Sequence, residues 1–237
     1  MTSAVEFLDY LEVNVDAEAV LRIQGYRGDG ELKASIREIT TRQVEAARQL
    51  AKPRAVYREV QALGMDEGTV RLEDGLLLHV GARIAQWWHG GHALAVALCT
   101  IDGALEERVL ALSKNGAHAE ALILDIAGSV ALGSVADQVR RFICEKASNL
   151  GIEVGPALNP GYGEWPLTDQ RLIFGLMPAE SIGVRLNDQF MMVPKKSVSF
   201  CAGLGVSEAS EHFNRCSHCG VAKCPYRRVD KQSKADQ

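Results

Sequence analysis

The chain is poor in aromatic residues, at 6% of its 237 positions, and it has no excess of positive charge, with 26 Lys+Arg against 30 Asp+Glu and a formal net charge of −4. Without a basic field there is nothing to hold nucleic acid or an anionic membrane surface, so a nonspecific polyanion binder is not expected. Residues 1–10 carry Glu6 and Asp9 where a secretory leader has a basic start and an apolar run; the expectation is a chain that stays in the cytoplasm. Residues 84–101 lack Asp, Glu, Lys and Arg, but Gln86, His89, Gly90, Gly91 and His92 interrupt them. That stretch reads as a buried strand over 93–99 rather than a membrane span. There is no internal repeat. The glycines of residues 25–30 have neither the spacing nor the strand-to-helix setting of a phosphate-binding fingerprint.

What is present is the balance of an ordinary globular protein, with 47% apolar and 24% charged residues. Periodicity predicts a helix over 32–51, stopped by Lys52-Pro53, and another over 105–114. A long helix is predicted over 117–147, where apolar residues recur at three- and four-residue steps. Gly128, Ala131, Gly133 and Ser134 make its middle small, which suits close packing or leaves room for a ligand. Glu73-Asp74-Gly75 predicts a hairpin turn between strands at 69–72 and 76–80. Further strands are expected at 93–100, 182–186, 189–193 and 197–202, and a helix over 167–176 with Thr168 as its cap. The Trp87-Trp88-His89-Gly90-Gly91-His92 run is better explained by packing than by metal.

Two motifs are more specific. Asn159-Pro160-Gly161-Tyr162-Gly163-Glu164-Trp165-Pro166-Leu167-Thr168-Asp169-Gln170 follows the long helix, and Pro194-Lys195-Lys196-Ser197-Val198-Ser199 follows Ile182-Gly183-Val184-Arg185-Leu186. A Pro-Gly-Tyr loop and then a Pro-x-x-Ser-Val-Ser strand, in this order, resemble the activation domain of cobalamin-dependent methionine synthase and the stand-alone proteins built around it. With Thr100-Ile101-Asp102-Gly103-Ala104-Leu105-Glu106 and the long helix, the resemblance covers roughly residues 75–205.

The resemblance implies an α+β fold of mixed helices and antiparallel sheet, with S-adenosylmethionine bound in a shallow site and its methyl presented to a corrinoid carried by a partner. It implies reductive reactivation, in which cob(II)alamin takes an electron from a low-potential donor and the cob(I)alamin formed is trapped by methylation. Pro160, Gly161 and Tyr162 match the ligand-contacting loop; a turn whose Tyr and Trp165 simply pack is the alternative. Ser197 and Ser199 match the later motif and share one strand face, with Lys196 and Val198 on the other. They either line the corrinoid-facing surface or are satisfied strand serines. Glu106 is a candidate ligand carboxylate, or a helix-start glutamate favoured by the helix dipole. Two positions depart from the family: Ala157 stands where methionine synthase has an arginine, and residues 131–136 lack its helix carboxylate. No D-x-H-x-x-G corrinoid-binding pattern occurs, so the corrinoid is expected on a partner protein or methyltransferase.

Cys99 and Cys144 lie in apolar runs and read as small core residues. Cys216-x2-Cys219-x4-Cys224-Pro225 lies beyond the resembling region, and such clustering points to a metal or redox site, with Cys201 as a candidate fourth ligand. Cys-Pro after the last cysteine and the reaction's need for an electron favour an iron–sulfur cluster; closed tetrahedral thiolate geometry, with His212 or His218 as a substitute ligand, suits zinc. The expected organisation is an N-terminal segment at 1–74 packed on the core, an activation-domain-like core at 75–205, a cysteine-rich metal-binding segment at 206–230 and a disordered tail at 231–237. If the cysteines hold structural zinc, the alternative is a noncatalytic corrinoid-protein binding or assembly factor.

Overall fold

The computed structural model describes residues 3–26, 33–207, 216 and 224. Its elements are β1 (Glu6–Leu8), α1 (Ala17–Ile23), α2 (Ala34–Leu50), β2 (Arg54–Asp66), β3 (Thr69–Leu72), β4 (Leu77–Leu78), α3 (Ala82–Trp87), β5 (Ala93–Thr100), α4 (Ala104–Lys114), α5 (His118–Ser148), α6 (Gln170–Leu176), β6 (Arg185–Leu186), β7 (Met192–Val193) and β8 (Ser197–Leu204). The main sheet runs β4-β3-β2-β5-β8, with β1 paired to β2, and every pairing in it is antiparallel. β2, from the N-terminal 74 residues, faces β5 from Arg54↔Thr100 to Gln61↔Ala93. β5 in turn faces β8 from Ala93↔Leu204 to Thr100↔Ser197.

The alternation of β5 divides the interior. Ala93, Ala95, Ala97 and Cys99 point to the long helices, while Leu94, Val96 and Leu98 point to a layer of loops, the short helices α3 and α6 and the β3–β4 hairpin, and all are buried. α5 lies on the small-residue face with Leu124, Ala127, Ala131, Val135 and Val139 turned inward. By length and composition alone α5 is apolar enough to cross a membrane, but half of its most apolar window is buried inside the fold. It packs on α1, α2, α4 and the sheet.

The 69–72/76–80 hairpin forms, with Val70 opposite Leu78, and residues 84–101 resolve into α3 and the wholly buried strand β5. Three expectations need correction. Thr168 caps nothing: it sits inside a single 3₁₀ turn over Leu167–Asp169, and α6 begins after it at Gln170. The strand expected over 182–186 shrinks to Arg185–Leu186, because Gly183 takes a left-handed φ of +76° and closes a 3₁₀ turn over Ala179–Ile182. Its partner shortens to Met192–Val193, because residues 187–191 form the connecting turn, with Phe190 at φ +59°.

Candidate functional site

β8 is an edge strand of the sheet, and an irregular segment runs along its free side. Val154 bridges Leu204 and Leu158 bridges Cys201, both antiparallel. Pro160, Gly161 and Tyr162 follow two to four residues after the second bridge. The loop closes on itself: Gly161 donates its N–H to Trp165 O at 2.8 Å, Tyr162 to Asn159 O at 3.0 Å and Trp165 to Tyr162 O at 3.1 Å. Gly161 holds φ +89°, open to glycine and strained for other residues. Tyr162 is half-buried against the loop-side core.

Buried side chains hold this loop from beneath. Trp165 meets Trp88 edge-on, with ring centroids 5.7 Å apart, and Trp88 Nε1 donates to Pro156 O at 2.9 Å. Trp165 Nε1 donates to Asp169 Oδ2 at 3.1 Å, and the same carboxylate accepts the His79 backbone N–H at 3.0 Å. Glu164 accepts the Ala82 N–H at 3.2 Å. The loop is thus tied to the β4–α3 turn and to the segment leading up to it. His79, His89 and His92 share no metal-holding group with other described residues.

Ser197 and Ser199 are both buried and both bonded. Ser199 Oγ accepts from Gln170 Nε2 at 2.7 Å, and Ser197 Oγ donates to Thr100 Oγ1 at 2.9 Å. Thr100 Oγ1 also accepts the Asp102 N–H, and Asp102 pairs with Arg54 at 3.0 Å. On the opposite face a second polar cluster joins three elements at the start of β8. Glu106, at the start of α4, accepts the Lys196 backbone N–H at 2.6 Å. Lys196 Nζ reaches α5, 2.9 Å from Asp125 Oδ1 and 2.9 Å from Ser129 Oγ. Lys196 is only 9% exposed. A Cβ at Gly128 would lie 2.7 Å from Leu105 Cδ2 and 3.3 Å from Lys196 Cε, so this glycine serves close packing. Gly133 and Ser134 instead line a cavity of about 810 Å³ between α1, α2 and α5, which also takes in Arg22 and Arg141.

Ser197 and Ser199 thus lie buried in the edge strand, Glu106 stands at its start, and Pro160, Gly161 and Tyr162 follow the segment that bridges it at Leu158. The sequence alone does not reveal Lys196, Asp125, Ser129, Gln170 or Asp169 as members of these networks, although Gln170 and Asp169 fall within the quoted motif. Cys201 is fully buried in β8 among apolar side chains, and burial pushes its thiol well above the usual range. Cys216 and Cys224 are half-buried. Cys219, the rest of the cysteine-rich segment, and His212 and His218 lie outside the described residues. Among the described residues no group of three His, Cys, Asp or Glu is placed to hold a metal ion.

No family model matches the chain, and no curated protein matches it. Among solved structures, the chain is similar to one described as the crystal structure of the MetH reactivation domain bound to AdoHcy, with a TM-score of 0.63 and 12% identity over 86% of this chain and 79% of that one. The arrangement of mixed helices on a curled antiparallel sheet is the fold of that reactivation domain.

Proposed function

We propose that this chain reactivates a corrinoid protein or corrinoid methyltransferase in trans, with S-adenosylmethionine as methyl donor. The observation that supports the reading most is the likeness of fold to a reactivation domain bound to AdoHcy, the thioether that remains when S-adenosylmethionine gives up its methyl. A low-potential donor reduces cob(II)alamin by one electron. The cobalt(I) then attacks the sulfonium methyl, the carbon–sulfur bond breaks with its electron pair left on sulfur, and methylcob(III)alamin forms. The unfavourable reduction is pulled forward by the irreversible transfer. The chain's share is positioning, since the cofactors carry the chemistry.

The residues present suit that ligand. Gly161 allows close backbone approach, and Tyr162 offers a ring face and a hydroxyl beside it. Glu106 offers a carboxylate whose second oxygen is without a partner among the described residues. Ser197 and Ser199, already bonded within the protein, set the strand edge on which the ligand lies. Three thiols, Cys216, Cys219 and Cys224, form the donor set for an iron–sulfur cluster. The apolar burial of Cys201 makes it the least suited fourth ligand. A bound cluster would supply the one-electron chemistry that no side chain offers.

One observation favours a second reading, a noncatalytic partner or assembly factor with structural zinc. Ala157 occupies the position where the family has its arginine.

Protein purified without oxygen separates the two. Iron with acid-labile sulfide, both lost in Cys216→Ser, together with conversion of a cob(II)alamin-loaded partner to its methyl form in the presence of S-adenosylmethionine and reductant, is the expected result. Stoichiometric zinc without sulfide, and partner binding without methyl transfer, would overturn the redox reading.

A further inference from the structure

A second opening lies on the helix side of the sheet. α1, α2 and α5 stand around the cavity of about 810 Å³. Its apolar walls belong to the cluster packed on the small-residue face of β5, whereas Tyr162 belongs to the cluster on the opposite face. We infer that this cavity binds a small organic phosphate, with the phosphoryl group held by Arg22 and Arg141 and the organic body laid against Val15, Ile23 and Val130. The inference does not depend on the S-adenosylmethionine reading.

The stripe of α5 that faces the cavity is small at one end and charged at the other. Ser129, Gly133, Asp137 and Arg141 follow at four-residue steps, and the first two leave space beside α1. Each helix brings a guanidinium: Arg22 from α1, Arg48 from α2 and Arg141 from α5. Arg48 is partly committed, since Nη2 donates to Val15 O at 2.8 Å and so ties the wall of the cavity to α2. Arg22 and Arg141 form no ion pair among the described residues. The two carboxylates of the lining are engaged elsewhere: Asp16 accepts the Glu18 N–H as the cap of α1, and Asp137 pairs with Arg140, which does not line the cavity. Ser129 is engaged as well, its oxygen 2.9 Å from Lys196 Nζ, so the cavity backs onto the cluster at the start of β8.

A guanidinium presents paired N–H donors in a fork that fits two oxygens of a phosphate, and it keeps its charge throughout the physiological pH range. Two such forks, with the Asn14 amide and the Ser134 hydroxyl also in the lining, offer more donors than the roughly four acceptor sites of a single carboxylate. They suit the three oxygens of a phosphoryl group. Val15, Ile23 and Val130 add an apolar surface that an inorganic anion would leave unused, and the volume falls within the roughly 300–1,000 Å³ of small-molecule pockets.

Titration of the full chain with phenyl phosphate, inorganic phosphate and benzoate, followed by amide NMR, tests charge and body separately. Phenyl phosphate is expected to bind at a single site, to shift the amides of Val15, Ile23 and Ser134, and to bind about tenfold more tightly than either of the others. Arg22→Gln and Arg141→Gln should each weaken it by about tenfold, the scale of a hydrogen bond between charged groups. Their urea midpoints should not move, because both side chains are exposed. Ser134→Leu should fill the cavity and erase the advantage of phenyl phosphate over inorganic phosphate. Absence of phenyl phosphate binding, shifts that spare all three helices, or an unchanged affinity in both folded arginine variants overturns the site. Benzoate bound as tightly as phenyl phosphate overturns the assignment to a phosphate.

Discussion

The two faces of the central sheet are built on opposite rules. Toward the helices β5 presents Ala93, Ala95, Ala97 and Cys99, and α5 answers with Ala127, Gly128 and Ala131, so a helix and a sheet meet through small side chains. Toward the loop side β5 presents Leu94, Val96 and Leu98, and the cluster there includes the two indoles Trp88 and Trp165 with aliphatic residues of the loops and of α3 and α6. A helix satisfies its own backbone groups and needs only apolar contact, whereas a loop layer must find partners for each buried N–H and carbonyl. Hence the indoles and carboxylates of the loop side, Trp88 on Pro156 O and Asp169 on the His79 N–H, double as packing and as backbone caps. The Pro-Gly-Tyr loop rests on this second face, and the Trp88–Trp165 pair and the Trp165–Asp169 bond are among its supports.

The sharpest way to break that contrast is at the aromatic pair. Trp88 is fully buried, and Gly155 and Gly203 are shaped around it: a Cβ at either would come within 3 Å of the Trp88 side chain. Trp88→Ala is expected to cost about 3–5 kcal/mol in urea unfolding, with loss of ligand binding in whatever fraction stays folded. On the helix face the reverse substitution is the informative one. Ala97 lies between Tyr57 and Phe200 in register, beneath α5, and Ala97→Leu should cost about 1–3 kcal/mol by overpacking while leaving the Pro-Gly-Tyr loop intact. Equal damage to ligand binding from both variants would erase the distinction between the faces.

Much of this was legible in the chain, and the illegible part has a physical pattern. β5 declares itself by an unbroken apolar run, α5 by its periodicity and the β3–β4 hairpin by Glu73-Asp74-Gly75. β2, the longest strand, was hidden because Arg54, Arg58, Glu59 and Gln61 interrupt its apolar residues and its register shifts between Ala62 and Gly64. At the site, the loop and strand motifs could be read from local order. The Lys196–Ser129 contact could not, since its partners are 67 residues apart and neither carries a motif of its own.

The thiols compare the two faces chemically. Cys99 faces the helices and Cys201 the loops, and both are fully buried. Burial pushes Cys99 up to about 12, with Arg140 pulling the other way, and raises Cys201 as well. An unfolded thiol ionises near 9.0, so above that pH the unfolded chain releases a proton that the folded chain keeps, and stability falls as pH rises from 9 toward 12. By pH 10 each thiol should account for on the order of 1 kcal/mol of the loss. Cys99→Ala should flatten the slope of stability against pH over this range, whatever its effect at neutral pH. A slope identical to that of the unmodified protein would mean that water reaches the helix face.

The smallest expected effect tests whether the loop is held by its backbone or by its supports. A Cβ at Gly161 would meet only Leu167 Cδ1 at 3.6 Å, an ordinary contact, so space does not restrict this position. Its φ of +89° does, and Gly161→Ala should cost about 1 kcal/mol. Because the Trp165 and Asp169 bonds that anchor the loop lie on its far side, the strain should be relieved locally, at Gly161 and Tyr162, rather than spread into the core. The variant is therefore expected to bind S-adenosylhomocysteine several-fold more weakly while its urea midpoint moves little. A large drop in midpoint with binding retained would place the strain in the supports instead, and would make the loop side as stiff as the helix side.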